Sequence, residues 1–162
     1  MDRLGLGYEH LKDINPRIIM LSISGFGHGG PESRRPAYAP VIHAEAGLIH
    51  RSASEAANAD RGRHYQDLPL SVADTNASLH GLVGLLAAVI HRQTTGKGQH
   101  IDIAMIDATV ATDDKILYDL EASWETAPLR NEIYDLPHGP VLLSTDFRLL
   151  FKRLVELGYI ED

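Results

Sequence analysis

"SVADTNASLHGLVGLLAAVIHRQTTGKGQHIDIAM", residues 71–105, decides the fold. Leu79, Leu82, Val83, Leu86, Val89 and Ile90 recur at helical spacing and predict one long helix from Ser71 through Arg92, with these residues as its apolar face. Ala73, Ala77, Gly81, Gly84 and Ala88 form a second, small-residue stripe. Each glycine inside a helix costs about 1 kcal/mol relative to alanine, so the stripe predicts close packing against another backbone. "TTGKGQ" (94–99) then reads as a turn, and "HIDIAM" (100–105) alternates as a strand does.

The flanks extend this pattern. "YEHLKDINP" (8–16) reads as the end of a helix, stopped by Asn15-Pro16. "RIIMLSISGF" (17–26) is rich in β-branched residues and bounded by Pro16 and Gly25, as a buried strand is. "GFGHGGPESRRP" (25–36) holds four glycines and two prolines and reads as a loop. "AYAPVIHAEAGLI" (37–49) predicts a helix beginning near Pro40. "HRSASEAANADRGRHYQDLP" (50–69) is polar without a stable period and reads as an exposed loop. "IDATVATDDKILYDLEAS" (106–123) returns to a helical pattern, and "DFRLLFKRLVELG" (146–158) reads as an amphipathic helix ending at Gly158. The order helix, strand, helix, helix, strand, helix predicts an α/β domain with a mainly parallel sheet and flanking helices. Two strands are few for a stable sheet, so further N-terminal sequence, or a partner, is expected to complete it.

Composition narrows the function classes. The 162 residues carry a net charge of −7 with no basic block, which argues against nucleic acid. The absence of cysteine excludes disulfides, thiolate metal sites and cysteine nucleophiles, and fits a reducing cytoplasm. "MDRLGLGYEH" has no apolar core of a secretory signal, and the apolar run Leu79–Ile90 is too short to span a bilayer, so no membrane partner is expected. The nine histidines show no metal-ligand spacing, and no metal is expected. His80, six residues after Asp74, is the histidine expected nearest a site.

Asp74 is the residue that admits two readings. Ser71 and Asp74 have the spacing of a capping box, and an acid in the first turn suits the helix dipole. An aspartate held rigidly among small residues is also a possible nucleophile. The glycines of "GFGHGG" (25–30) have amides that can stabilise negative charge, although no helix opens behind them as a dinucleotide fingerprint requires.

Two long segments resolve this by likeness. "DRLGLGYEHLKDINPRIIMLSISGFGHGGP" (2–31) and "LPLSVADTNASLHGLVGLLAAVIHRQTTGKGQHIDIAMIDA" (68–108) resemble, in order and separation, two characteristic segments of the class III CoA-transferases. The resemblance runs over residues 1–118, which it implies are part of a large Rossmann-like α/β domain carrying the nucleophile. Residues 119–162 then form a divergent linker and C-terminal amphipathic helix. The implied fold is a truncated version of the family's interlocked-ring homodimer. The implied activity moves CoA from an acyl-CoA donor to a small carboxylic acid through an aspartyl-CoA thioester. Asp74 falls on the family's nucleophile, while Arg3, Ala37 and Tyr38 fall on positions that line the CoA channel. Tyr38 and Ala39 stand where the racemases of the superfamily carry a histidine and an acid, which disfavours α-carbon proton exchange. Ala39 and Ser78 replace residues that the family usually has as an acid and a glycine. A non-catalytic module keeping the family core is the alternative.

Overall fold

The computed structural model describes residues 1–56, 65–113, 132–143 and 147–161. The chain divides into two compact units, Met1–Asp114 and Lys115–Asp162.

The first unit opens with a 3₁₀ turn, Asp2–Leu4, and helix α1, Tyr8–Ile14. Asn15 ends α1: its N–H donates to the Leu11 carbonyl, and its side-chain oxygen accepts from the Arg17 N–H at 3.0 Å. Strand β1, Met20–Ser24, follows. After the glycine loop come α2 (Ala39–Glu45), α3 (Leu48–Ala56), α4 (Val72–Thr95), strand β2 (His100–Ala104) and α5 (Met105–Thr112). β1 and β2 pair in parallel, from Met20 opposite His100 to Ser24 opposite Ala104. A parallel pair needs a long crossover, here supplied by α2, α3 and α4. Among the described residues this sheet has two strands. The mixed α/β fold and its parallel pairing are those expected.

Three expectations change. The helix predicted over 37–49 is two helices, because Gly47 adopts a left-handed backbone (φ +77°) that breaks the run. The loop expected at 50–69 is helical through Ala56, while residues 57–64 lie outside the described set. Polarity misled here because Arg51 is buried through an ion pair with Asp113, which follows α5. The helical pattern expected over 106–123 holds to Thr112, and residues 114–131 are likewise outside the described set.

A further change concerns which side of α4 is the core side. The small stripe, not the large apolar face, turns inward: Ala73, Ala77, Gly81 and Ala88 are buried. Leu82, Val83, Leu86 and Ile90 are 50–69% exposed. The helix lies so close to the sheet that large residues do not fit between them. A Cβ added at Gly84 would stand 2.9 Å from Ile101 Cγ2, and one at Gly81 would stand 3.2 Å from Leu21 Cδ2. The close approach is therefore to sheet side chains rather than to another backbone. α4, at 24 residues, is also long and apolar enough by composition alone to cross a membrane, although the run 79–90 is not. Its small stripe is the side that packs on the sheet.

The core cluster joins the elements that matter for the site. Ala39 and Ile42 of α2, Ala73 and Ala77 of α4, and Met105 and Ala108 of α5 are buried together, with Phe26, Ala37, Ile103 and Ile106 packed against them. Ile42 is fully buried. Ile42→Ala is expected to lower unfolding free energy by about 3 kcal/mol, read from urea midpoints at unchanged m-value.

The second unit holds an antiparallel hairpin, β3 (Glu132–Leu136) and β4 (Gly139–Leu143), and helix α6 (Phe147–Glu156). The hairpin was not anticipated from the sequence. α6 ends as its pattern predicts: the Gly158 N–H donates to the Val155 carbonyl and the Tyr159 N–H to the Leu154 carbonyl, with Gly158 at φ +72°.

Candidate active site

Asp74 is the third residue of α4 and its carboxylate is exposed to solvent. Position in the first turn favours its negative charge through the helix dipole. The expected capping box does not form, since the Ser71 side chain makes no capping hydrogen bond. A buried imidazole takes its place. The Ala73 N–H donates to His43 Nε2 at 3.2 Å, and His43 Nδ1 lies 2.8 Å from Asp67 Oδ1. An Nε2 that accepts places the ring proton on Nδ1, which therefore donates to Asp67. His43 has no solvent-exposed surface. The hydrogen bond from His43 is the main reason that the Asp67 carboxyl lies below its ordinary range.

α2 brings the other candidates to this neighbourhood. Tyr38 is its N-cap residue, with backbone φ −127° and ψ 169°, and Pro40 lies in its first turn as the sequence predicts. The Tyr38 side chain is 78% exposed. Ala39, one residue beyond Tyr38, and Ala73, one residue before Asp74, belong to the same buried cluster. Ala37 packs against that cluster and meets Gly25: a Cβ at Gly25 would stand 2.3 Å from Ala37 Cβ, so only glycine permits this approach. Arg3 is exposed on the N-terminal 3₁₀ turn. Among the described contacts no hydrogen bond or ion pair ties Arg3 to Tyr38 or Asp74. An open cleft of about 410 Å³ beside that turn is lined by Gly5, Gly7, Tyr8, His28 and His100 among others, and Asp74 is not part of its wall.

Two amides of the glycine loop are already engaged within the fold. The Gly27 N–H donates to Ser24 Oγ at 3.1 Å and the His28 N–H to Asp102 Oδ2 at 2.9 Å. His28 Nδ1 also lies 2.6 Å from Asp102 Oδ1. The Gly27 amide ties the loop to the end of β1, and the His28 amide ties it to β2 and stabilises the Asp102 carboxylate. Burial pushes the Asp102 carboxyl up, and the side-chain and backbone hydrogen bonds from His28 outweigh it, leaving the net value lowered. A carboxylate with a depressed folded value stabilises the fold above its ordinary range. That contribution is lost as pH falls through the depressed value. Asp102→Asn is therefore expected to lower Tm at neutral pH and to flatten the acid limb of a Tm-versus-pH curve.

His80 has no described contact with Asp74. Its Nδ1 donates to the Asn76 carbonyl of its own helix at 2.8 Å. The residues that sequence reasoning missed are His43 and Asp67. The signal available in the sequence is a histidine directly after Ile42 in the segment predicted as a helix.

A two-strand parallel core with a carboxylate at the start of a small-residue helix defines an α/β class. Comparison with known proteins makes it specific. The family model for CoA-transferase family III matches residues 1–137, and the chain belongs to that family. It is 34% identical over 117 residues to the succinyl-CoA–L-malate CoA-transferase beta subunit of Chloroflexus aurantiacus, covering 72% of this chain and 28% of the relative. It is 39% identical over 111 residues to the acetyl-CoA:oxalate CoA-transferase of Acetobacter aceti, covering 68% and 27%. The formyl-CoA:oxalate CoA-transferase of Escherichia coli is 35% identical over 114 residues, covering 68% and 25%. Among solved structures, a CAIB/BAIF family protein from Brucella suis superposes with TM-score 0.71 at 28% identity, over 96% of this chain and 42% of that one. A hypothetical protein from Mycobacterium tuberculosis gives TM-score 0.75 at 23% identity, over 97% and 42%, a likeness of fold. The chain spans roughly a quarter to a third of the length of the curated relatives it matches.

Proposed function

We propose that this chain carries the nucleophile of a CoA-transferase that moves CoA from an acyl-CoA donor to a small carboxylic acid. The observation that carries the reading is the Asp74 carboxylate, solvent-accessible in the first turn of α4 and set on a turn anchored from the core. The family match supports the reaction class, and the names of the relatives support thioester donors and carboxylate acceptors.

The chemistry follows from that carboxylate. Asp74 attacks the thioester carbonyl, a C–O bond forms, the C–S bond breaks and CoA thiolate leaves. The thiolate attacks the aspartyl carbonyl of the mixed anhydride, forming aspartyl-CoA and releasing the donor acid as carboxylate. The acceptor carboxylate attacks aspartyl-CoA and expels the thiolate. The thiolate then attacks the acceptor's acyl carbonyl, yielding the new acyl-CoA and free Asp74. Each step exchanges one activated acyl link for another, so no external energy source is needed. Arg3 offers a cation to the phosphates of CoA, and Ala37 and Tyr38 offer backbone and ring to its thiol end. The working assembly in this reading is a cytoplasmic homodimer.

Isotope exchange tests the reaction. A labelled carboxylic acid incubated with its unlabelled CoA ester enters the ester pool with this chain present and not with Asp74→Asn. Absence of exchange for a panel of acids, with folded protein, contradicts the transferase reading. The exposed apolar face of α4 favours one rival, a family core that associates with another polypeptide without performing chemistry itself. That rival predicts association without exchange.

A further inference from the structure

We infer that His43 is a positioning residue for Asp74, acting as the N-cap of α4 from another helix. The inference rests on the reading of Asp74 as nucleophile. A helix normally satisfies its first N–H groups with a Ser, Thr, Asp or Asn side chain at the N-cap. Here Ser71 occupies that position and its hydroxyl is not used. The acceptor is instead Nε2 of His43, and the N–H it engages belongs to Ala73, the residue directly before Asp74. The imidazole cannot drift, because it is fully buried and its far nitrogen is bonded to Asp67. Asp67 also fixes the tautomer: with the proton on Nδ1, Nε2 is an acceptor and suits an amide donor. Asp67 lies before α4 and His43 lies in α2, so the relay clamps both sides of the turn that presents the carboxylate. Ala73 itself is fully buried in the core cluster, which leaves Asp74 the first residue of α4 after this anchor. A nucleophile displaced by a fraction of an ångström reacts far more slowly, so a fixed first turn has a direct kinetic consequence.

Three variants of the 162-residue chain test this. His43→Met keeps bulk and removes the acceptor. His43→Gln offers an amide oxygen to Ala73 N–H and an amide N–H to Asp67. Asp67→Ala frees the tautomer from the exposed end of the relay and leaves the core untouched, so it serves if His43→Met does not fold. Amide hydrogen exchange is read across residues 72–76. The rate of acyl-CoA adduct formation is read against donor concentration. His43→Met is expected to speed exchange in this turn about tenfold, with Asp67→Ala intermediate and His43→Gln near wild type. The maximal adduct rate is expected to fall at least about tenfold in His43→Met, at unchanged half-saturating donor, and to recover in His43→Gln. Unchanged exchange in His43→Met and Asp67→Ala overturns the inference. So does faster exchange with an unchanged maximal adduct rate, which would make His43 a cap and nothing more. No adduct in the wild-type chain, with exchange responding as expected, is a failure of the nucleophile reading and takes the positioning role with it, while leaving the cap itself demonstrated.

Discussion

Asp74→Asn is expected to reduce CoA transfer by at least about 10³-fold while leaving the fold intact. Asparagine keeps the size of the side chain, and Asp74 is exposed and takes part in no described hydrogen bond, so no packing is lost. What disappears is the anionic oxygen that opens the thioester and the carboxyl carbon that later carries CoA as a good leaving group's ester. In the proposed cycle every covalent intermediate is formed on that one group, so its loss is not shared out among helpers. The stability cost is confined to the lost helix-dipole interaction, about 0.5 kcal/mol. The diagnostic pair of measurements is steady-state transfer and urea denaturation. A variant that retains transfer within tenfold places the chemistry elsewhere.

The second large effect concerns stability. Gly84→Leu is expected to cost about 3 kcal/mol, whereas Leu82→Gln, two residues away, is expected to change stability by no more than about 0.5 kcal/mol. The contrast follows from the facing of α4. Even a single Cβ at Gly84 meets Ile101 Cγ2 at 2.9 Å, and Ile101 is a branched strand residue that cannot swing aside. Leucine gains helix propensity of about 1 kcal/mol over glycine, which offsets only part of the overpacking. Leu82 is 50% exposed and removes little packing when changed. Paired denaturation curves decide the matter. If Leu82→Gln is the costlier of the two, the large apolar face is the core side and the packing described for α4 is wrong.

This same facing marks the limit of what the sequence makes legible. Two strands, the long helix, its C-terminal glycine turn and the Gly158 stop are visible because they rest on local rules: period, β-branching and left-handed glycine. The inward side of α4 is not local. Two stripes at helical spacing are present, one large and one small, and the choice between them depends on how near the sheet lies. The break at Gly47 is missed because a glycine inside an apolar period is compatible with either outcome. α3 is missed because Arg51 is polar in sequence yet buried by a partner 62 residues away. The role proposed for Asp74 rests on likeness, and its position at a helix start is readable from pattern. The relay through His43 and Asp67 is not, since it joins residues 24 and 30 positions apart across three segments.

Asp74 is expected to become covalently linked during turnover. Intact-protein mass after incubation with a panel of acyl-CoA donors, with and without hydroxylamine, reads this directly. The expected result is a hydroxylamine-sensitive adduct on the wild-type chain, mapped by peptide mass to Asp74 and absent from Asp74→Asn. A folded wild-type chain that takes no adduct from any donor, or an adduct that persists in Asp74→Asn, contradicts it.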